Sequence, residues 1–385
     1  MYAGLFHLSG RVYTRPTAAR AISIPHPSSA RARRVRMTPD LGRVVDDTFT
    51  DGITALAWAR GADVSDDAGT MRLLCTSWDG RARAYDVRRR AVGGVTRVAD
   101  VDCGAPVLCG VFGGGTDACV VGCADGGVRW IDLKTGAATT VGAHEGGARC
   151  VMWDEKAGVV ISGGWDRRVK VWDVRLGGGG RGVSPTEVVG KCYAGDARDG
   201  RCVLATSDGQ ILAYDVEDLM GGGRPRVNRR SSVRFQTRAI AVNASAEWFV
   251  NATVEGRVAV EYVDDEENEK RRFAFKCHRG KNEDGSAGEV IYPVHSVSFH
   301  PLGTFATGGG DGYVSYWDAE ARKRLFATPR YPTSVSALAF SPCGTMLAVA
   351  SSFAHEEREN ATPVDRLYVR VVNAEEVTPK SASAR

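Results

Sequence analysis

The sequence ISGGWDRRVKVWD at residues 161–173 joins an apolar strand, small residues, an acidic turn and a second strand that ends in Trp-Asp. The same unit recurs in degraded form along the chain. In each copy the acid of the turn stands seven positions before a final Asp or Tyr, and these acids are Asp79, Asp125, Asp166, Asp208, Glu255 and Asp311. A register kept this strictly predicts an internal structural repeat.

The spacing of the repeat indicates its architecture. Successive turn acids are separated by 46, 41, 42, 47 and 56 residues, close to the ~40–45 residues of a four-stranded propeller blade. A seventh unit at 334–340, 345–350 and 367–372 carries the polar insert 355–363 in place of the turn. We therefore predict an all-β, seven-bladed β-propeller over residues 41–373. Because a propeller hides its sheet edges by closing, a strand near residues 42–46 should complete the last blade.

Composition supports a folded, turn-rich β protein. Of 385 residues, 43% are apolar and 46 are glycine, about 12%, against the usual 7% or so. No run approaches the roughly 18 consecutive apolar residues of a membrane span, so we expect no membrane insertion. The ten cysteines include no CxxC pair and are expected to be reduced, strand-buried thiols of an intracellular protein that needs no metal or cofactor.

Charge is distributed unevenly along the chain. Residues 1–36 contain seven Arg and no acid, so the remainder has 43 basic and 46 acidic groups, a net charge of −3. A nearly neutral body argues against direct DNA binding. We predict a disordered basic N-terminal extension over residues 1–40, with Met37 favoured as the true start over an organelle presequence, and a C-terminal tail over 374–385.

Two sets of residues have the composition of a catalytic site, but we expect them to be structural. A chain of hydrogen bonds can join His144, Ser162, Asp166 and Trp172, and a similar set can join His278, Thr307, Asp311 and Trp317. Such sets resemble hydrolase triads, yet their repetition around the ring favours a role in holding the turns. No nucleotide-binding or hydrolase motif occurs, so we predict no enzyme. The acid cluster at 264–269 is expected to be a solvated loop rather than a calcium site.

Several cations and aromatic side chains fall at the ends of predicted strands, where propeller loops bind partners. The candidates from blades four to six are Arg229, Arg230, Arg238, Arg257, Lys276 and Arg279. Together they could hold an acidic or phosphorylated peptide; alone, each could be an ordinary ion pair. Trp78 and Trp165 each precede a turn acid and could either anchor a peptide or pack within their own blade.

These repeats resemble the WD-repeat family over roughly residues 40–373. The stretches SSVRFQTR (231–238), VEGRVAVEY (254–262), FKCHR (275–279), IYPV (291–294) and RYPTS (330–334) resemble the WD-repeat branch of the Bub spindle-checkpoint family. A related branch, the messenger-RNA export factors, shares the Glu-Gly-Arg and Lys-Cys-His-Arg words. The words QTR, YPTS and the ending VTPK (377–380) are more similar to the checkpoint branch.

The resemblance implies a non-enzymatic adaptor of the mitotic spindle assembly checkpoint, located in the nucleus and at kinetochores with a cytoplasmic pool. Such an adaptor binds GLEBS segments of checkpoint kinases or pseudokinases, here through Trp78 and Arg238. It also binds phosphorylated Met-Glu-Leu-Thr repeats of a kinetochore scaffold, here through Arg257, Lys276 and Arg279. The alternative is an export factor that binds a nucleoporin GLEBS segment. Residues 177–180 and 282–288 depart from the family, and Glu283 and Asp284 should weaken phosphate binding.

Overall fold

The computed structural model describes residues 41–60, 69–88, 94–174, 181–182, 185–281, 288–354 and 365–380. The predicted basic extension with Met37, the glycine run at 177–180, the polar insert at 355–363 and the acids Glu283 and Asp284 lie outside the described residues.

The described strands form seven consecutive antiparallel sheets, which confirms the predicted seven-bladed propeller. In blades 1 to 3 the strands run outward from the centre in chain order. Blade 1 contains β2 (Ile53–Trp58), β3 (Met71–Ser77), β4 (Arg81–Val87) and β5 (Val95–Asp102). Blade 2 contains β6 (Val107–Phe112), β7 (Ala118–Cys123), β8 (Gly127–Asp132) and β9 (Ala138–Ala143). Blade 3 contains β10 (Ala148–Asp154), β11 (Val159–Gly164), β12 (Arg168–Asp173), β13 (Arg181–Gly182) and β14 (Thr186–Glu187).

The remaining blades follow the same order, with a small hairpin between blades 5 and 6. Blade 4 contains β15 (Cys192–Arg198), β16 (Arg201–Thr206), β17 (Gln210–Asp215) and β18 (Val227–Arg230). Blade 5 contains β19 (Thr237–Val242), β20 (Trp248–Thr253), β21 (Arg257–Tyr262) and β22 (Phe273–Lys276), and the hairpin contains β23 (Arg279–Lys281) and β24 (Glu289–Ile291). Blade 6 contains β25 (Val294–Phe299), β26 (Phe305–Gly309), β27 (Val314–Asp318) and β28 (Lys323–Ala327). Blade 7 contains β29 (Val335–Phe340), β30 (Met346–Ser351) and β31 (Arg366–Val371).

The N-terminal strand β1 (Arg43–Val44) completes blade 7 by pairing with β31, as the sequence predicts. Its neighbours hold it in place, because Val45 is buried and the Tyr331 hydroxyl donates a 3.0 Å hydrogen bond to the Leu41 carbonyl. The turn into the strand needs a glycine: Gly42 has φ +90°, and a Cβ there would lie 2.7 Å from the Val369 carbonyl oxygen. Both ends of the ring therefore meet in one sheet.

Apolar residues between neighbouring blades form the core. The cluster that joins blades 7 and 1 includes Trp58, Leu73, Tyr85, Ala348 and Leu367, all less than a tenth exposed. Each large apolar side chain buried in this way stabilises the fold by about 1.5–3 kcal/mol. Packing between blades 7 and 1 therefore contributes to the free energy of folding in addition to closing the ring.

The ten cysteines are all free thiols, and nine of them are buried. Burial raises the pKa of Cys119, Cys150 and Cys192 to about 12. These thiols are therefore protonated at neutral pH and pack as small apolar side chains.

The prediction of a solvated loop at 264–269 was wrong, because these residues form most of helix α2 (Asp265–Arg271). Helix α1 (Val216–Met220) lies within blade 4, between β17 and β18. The Asp264 carboxylate caps α2 by accepting hydrogen bonds from the Glu266 and Glu267 amides, both at 3.0 Å. Acidic residues occupy the first turn and Lys270 and Arg271 the last, which suits the helix dipole. The charge run therefore encodes a capped helix.

The predicted C-terminal tail begins with a helix that is packed against the ring, α3 (Ala374–Val377). Arg370 donates hydrogen bonds to Glu376 at 2.6 and 2.8 Å and to the Tyr316 hydroxyl at 2.8 Å, and all of these contacts are buried. Helix α3 therefore packs against β27 and β28 of blade 6. None of the helices in the described ranges is long and apolar enough to cross a membrane.

Candidate functional site

One face of the ring carries the loops that join the second and third strands of every blade. In each blade, the residue after the second strand donates a backbone hydrogen bond to the carbonyl of the residue before the first strand. The seven pairs are Trp78 to Gly52, Ala124 to Pro106, Trp165 to Gly147, Ser207 to Lys191, Val254 to Gln236, Gly310 to Pro293 and Ser352 to Ser334, at 2.9–3.1 Å. We call this side of the ring the hairpin face.

In blades 1, 2 and 5, the chain just after the outermost strand, or at its end, contacts the loop between the second and third strands of the same blade. The amides of Cys103, His144 and Cys277 donate to the carbonyls of glycines in the turns of blades 1, 2 and 5. The connection from one blade to the next therefore also runs along the hairpin face, so loops from different blades can act together on one ligand.

In blades 3 and 6 the turn acid is held by a four-residue network. His144 Nδ1 lies 2.9 Å from Asp166 Oδ1, and its Nε2 lies 2.8 Å from Ser162 Oγ, which accepts the Trp172 indole N–H at 2.8 Å. Burial lowers the pKa of His144 despite the opposing effect of Asp166. If the His144 imidazole is neutral, donates to Asp166 and accepts from Ser162, each of the four side chains in the network has a hydrogen-bond partner.

Blade 6 repeats this arrangement. His278 lies 2.8 Å from both Asp311 Oδ1 and Thr307 Oγ1, and Trp317 donates to Thr307 at 2.9 Å. The hydroxyl of each set is occupied by its own histidine and tryptophan, so the geometry is that of a turn clamp and not of a nucleophile open to substrate.

Blades 1 and 2 hold the turn acid with an arginine four residues later, a solution that our sequence analysis missed. Arg83 Nη2 lies 2.8 Å from Asp79 Oδ2, with both side chains only 4% exposed, and Arg129 pairs with Asp125 in the same way. Burial opposes ionisation of Asp79, but the hydrogen bonds and charge of Arg83 outweigh it and lower the pKa of that carboxyl. The signal in the sequence is an Arg at the fourth position after the acid.

The two candidate aromatic residues differ in exposure. Trp78 is 41% exposed on the hairpin face, and its ring lies beside Gly52, where a Cβ would be 3.7 Å from Cδ1. Trp165 is half-buried and covers Gly147, where a Cβ would be 2.7 Å from its ring. Trp78 presents a free indole surface, whereas Trp165 packs within its blade.

Arg238 occupies a position that recurs in every blade. A β-bulge skips one residue near the start of each innermost strand, and the seven skipped residues are Thr54, Leu108, Arg149, Tyr193, Arg238, His295 and Ser336. Five of them line a central channel of about 700 Å³. Arg238 Nε donates to His295 Nδ1 at 3.3 Å. Arg238 therefore lies where the channel meets the hairpin face.

The three cations proposed for phosphate binding cluster at the end of blade 5. Arg257, the first residue of β21, is the direct register partner of Lys276, the last residue of β22. Arg257 Nε is 3.4 Å from Glu255 Oε2. Arg279, on the following hairpin, pairs with Glu289 at 2.7 Å and donates to the Glu255 carbonyl at 3.2 Å. Arg257 and Lys276 are accessible, whereas the Arg279 side chain is only 10% exposed.

Blade 4 contributes less to this cluster than the sequence suggested. Arg229 is engaged by Asp265 at 2.7 Å, by the Tyr262 carbonyl and, at 3.8 Å, by Glu261. Glu261 is buried and accepts the Ser232 hydroxyl at 2.8 Å. Of the two interpretations that the sequence left open for Arg229, the structure favours the ion pair, because this residue joins blades 4 and 5.

The candidate residues therefore fall into two groups on one face. Arg238, Arg257 and Lys276 all belong to blade 5, and Trp78 belongs to blade 1, with blades 6 and 7 between them. A ligand that touches both groups has to cross the face of the ring. Within the described ranges, no group of His, Cys, Asp or Glu side chains is arranged to hold a metal ion.

Comparisons with known proteins agree with the repeat. The family model described as "WD domain, G-beta repeat" matches residues 137–173 and 290–318. The chain is 38% identical over 352 residues to "Mitotic checkpoint protein BUB3.1" of Arabidopsis thaliana, covering 89% of this chain and 96% of the relative. It is 30% identical to "Poly(A)+ RNA export protein" of Schizosaccharomyces pombe, covering 87% and 92%.

A solved structure supports the fold. One chain of the structure entitled "Crystal Structure of Mitotic Checkpoint Complex" superposes with a TM-score of 0.64 at 16% identity, covering 93% of this chain and 99% of the other. At that identity the likeness concerns the fold alone.

Proposed function

The chain belongs to the BUB3 family of mitotic checkpoint WD-repeat proteins, and from this premise we propose that it is a spindle-checkpoint adaptor with two ligands on the hairpin face. One ligand is the GLEBS segment of a checkpoint kinase or pseudokinase. The other is the phosphorylated Met-Glu-Leu-Thr repeat of a kinetochore scaffold. The family consists of non-catalytic scaffolds with nuclear and kinetochore roles, so we place this chain in the nucleus and at kinetochores, with a cytoplasmic pool.

The observation that carries the phosphopeptide proposal is the direct pairing of Arg257 with Lys276. Like charges directly opposite each other on antiparallel strands are destabilising. Among the described residues, no carboxylate lies within ion-pair distance of Lys276, so the pair carries excess positive charge at an accessible strand end. A phosphothreonine, with about −1.5 to −2 charges and three acceptor oxygens, would neutralise both cations.

Arg279 has a different part in this proposal. Its guanidinium holds the Glu255 carbonyl at 3.2 Å, and Glu255 in turn contacts Arg257. We therefore assign Arg257 and Lys276 to direct phosphate contact and Arg279 to positioning of the turn that presents Arg257. Each charge-assisted hydrogen bond to phosphate contributes about 1.5–3 kcal/mol.

Trp78 and Arg238 suit a long segment that crosses the ring. An exposed indole offers apolar contact area, and Arg238 at the channel mouth can pair with a glutamate of the segment. The export role remains the second candidate, because a Poly(A)+ RNA export protein is 30% identical over most of its length. In that case the same face would hold a nucleoporin GLEBS segment.

Calorimetry with matched peptides tests the proposal. Met-Glu-Leu-Thr peptides with and without phosphate should differ in affinity by at least about tenfold, and Arg257→Glu should abolish the difference. Lys191→Glu is the matched control, because Lys191 is exposed on the same face in blade 4. Equal affinity for the two peptides in the wild-type chain would refute phosphate recognition.

A second titration separates the two candidate roles. The chain should bind a kinase GLEBS peptide at least about tenfold more tightly than a nucleoporin GLEBS peptide if the checkpoint role is primary. The reverse order would favour export.

A further inference from the structure

The sequence VTPK at residues 377–380 contains a Thr-Pro step that the proposed function does not use. The described residues contain three Ser-Pro or Thr-Pro steps, at Thr328, Ser341 and Thr378. Thr328 is 3% exposed and Ser341 is 1% exposed, whereas Thr378 is exposed. Of these three described residues, only Thr378 is accessible to an enzyme without unfolding of a blade.

The backbone at Thr378 has the extended conformation that suits binding to an enzyme's active site. Thr378 caps the C-terminus of α3 with φ −64° and ψ 125°, which is extended backbone. A following proline favours that conformation in any state of the chain. Pro379 is partly exposed, and Lys380 is exposed. The target residue, the proline and the following base are therefore presented together at the surface.

We propose that Thr378 is a phosphorylation site for a proline-directed protein kinase and that phosphorylation releases residues 378–380 from blade 6. In the reaction, Thr378 Oγ bonds to the γ-phosphorus of ATP and the bond from that phosphorus to the β,γ-bridging oxygen breaks. ADP leaves with that oxygen, and the hydroxyl proton passes to the catalytic aspartate of the kinase. No oxidant or reductant takes part.

The first contact to be lost is the hydrogen bond of the Thr378 hydroxyl. The hydroxyl donates to the Ala374 carbonyl at 2.7 Å. After phosphoryl transfer the same oxygen has no proton, so two acceptors would face each other at that distance. The phosphoryl group also brings about −1.5 to −2 charges to the C-terminal end of a helix, where negative charge is unfavourable.

The second contact lies two residues later. The Lys380 amide donates to Asp318 Oδ2 at 2.8 Å, and Asp318 is buried at the end of β27. A phosphate on Thr378 adds negative charge near this carboxylate. Lys323 is the register partner of Asp318, so a positive charge stands on the neighbouring strand. The loss of the hydrogen bond to Ala374 does not depend on these charges.

The other contacts between helix α3 and the ring should remain after phosphorylation. The Val377 carbonyl accepts a 2.9 Å hydrogen bond from the buried Thr304 hydroxyl, and the buried Arg370–Glu376 pair also holds α3 to the ring. Phosphorylation should therefore open residues 378–380 locally without unfolding the propeller. The modification acts on the junction of blades 6 and 7, and it does not depend on the proposed ligands of the hairpin face.

Phosphorylation of the full chain tests the site. A proline-directed kinase that is active on a control Ser-Pro peptide, with magnesium and ATP, should phosphorylate Thr378. Peptide mapping of the full chain should show this phosphate separately from any at the Ser-Pro and Thr-Pro steps of Thr38, Ser184 and Thr362. Thr378→Val should accept no phosphate at that position, and Pro379→Ala should lose most of the phosphate at residue 378 although the Thr378 hydroxyl remains. Absence of phosphate at Thr378 while the control peptide is modified would overturn the assignment.

Hydrogen exchange tests the structural consequence. In the phosphorylated chain the Lys380 amide should exchange about five- to tenfold faster, whereas the amides of β30 should be unchanged. Thr378→Ser should take up phosphate and respond in the same way. Unchanged exchange at Lys380 in a fully phosphorylated chain would overturn the release of residues 378–380.

Discussion

Glu289 Oε2 lies 2.7 Å from Arg279 Nη1, so one cation of the blade 5 cluster has a counter-ion before any ligand arrives. Glu255 is 3.4 Å from Arg257 in the same cluster. An anionic ligand has to compete with both carboxylates. In the proposed phosphate site, the negative charge of these two carboxylates would limit the binding of weaker anions.

Removing one of these carboxylates should strengthen phosphopeptide binding. We expect Glu255→Gln to raise the affinity about three- to tenfold, because the amide keeps the shape but no longer neutralises Arg257. Calorimetry at constant ionic strength measures the change. The matched control is Glu145→Gln, an exposed acid on the hairpin face of blade 3 that pairs with Arg168. Weaker or unchanged binding in Glu255→Gln would contradict the assignment of Arg257.

Substitutions at two tryptophans should affect different properties, GLEBS binding at Trp78 and the stability of the fold at Trp172. Trp78→Ala should weaken GLEBS binding by about 2 kcal/mol and barely change the melting temperature, because the indole is 41% exposed. Trp172→Phe should cost about 1–3 kcal/mol of unfolding free energy, since Ser162 loses the indole donor and the ring is buried. Peptide titration and thermal melts of both variants provide the measurement. The prediction fails if Trp78→Ala lowers the melting temperature as much as Trp172→Phe.

Ring closure should depend on residues 41–46. A chain that starts at residue 47 lacks β1 and the buried Val45 and should lose at least about 2 kcal/mol of stability. A chain that starts at residue 41 retains both and is the matched control. Denaturant unfolding of the two chains measures the difference. Equal midpoints would show that β1 does not contribute to closure.

Acidification should destabilise the propeller through two buried histidines. His300 accepts the Leu302 amide at 3.1 Å and lies 3.0 Å from the Gly344 carbonyl, and burial lowers its pKa, as it does for His144. Both pKa values lie below the unfolded value of about 6.5, so the unfolded chain binds more protons as the pH falls. The free energy of unfolding should therefore fall as the pH drops from about 7 to about 5.5.

Denaturant unfolding at several pH values tests this dependence. In His300→Gln the fall should be smaller, because one group fewer titrates. Histidine NMR should place both titrations below about pH 6.5. A free energy of unfolding that rises as the pH falls from about 7 to about 5.5 would contradict the assignment of His144 and His300 as neutral in the folded chain.

How much of the fold could be predicted from the sequence depended on the repeat. The seven-residue spacing from Asp166 to Asp173 is local, and so it predicted the hairpin within a blade. The separation of 41–56 residues between successive turn acids gave the blade count, and the need to hide the sheet edges gave the closing strand. The acids at 264–269 were misread, because net charge is visible in a sequence, whereas the capping bonds of Asp264 depend on backbone geometry.

For the candidate site, the sequence by itself determined which residue types stand at strand ends and hence which could face a ligand. Only the tertiary structure decided which of them are accessible. Arg229 and Arg279 are held by carboxylates of α2 and β24, which come from later in the chain. Arg257 and Lys276 are brought together by a ladder between strands. Pairing across strands and blades is set by packing of the whole ring, and spacing along the chain does not contain that information.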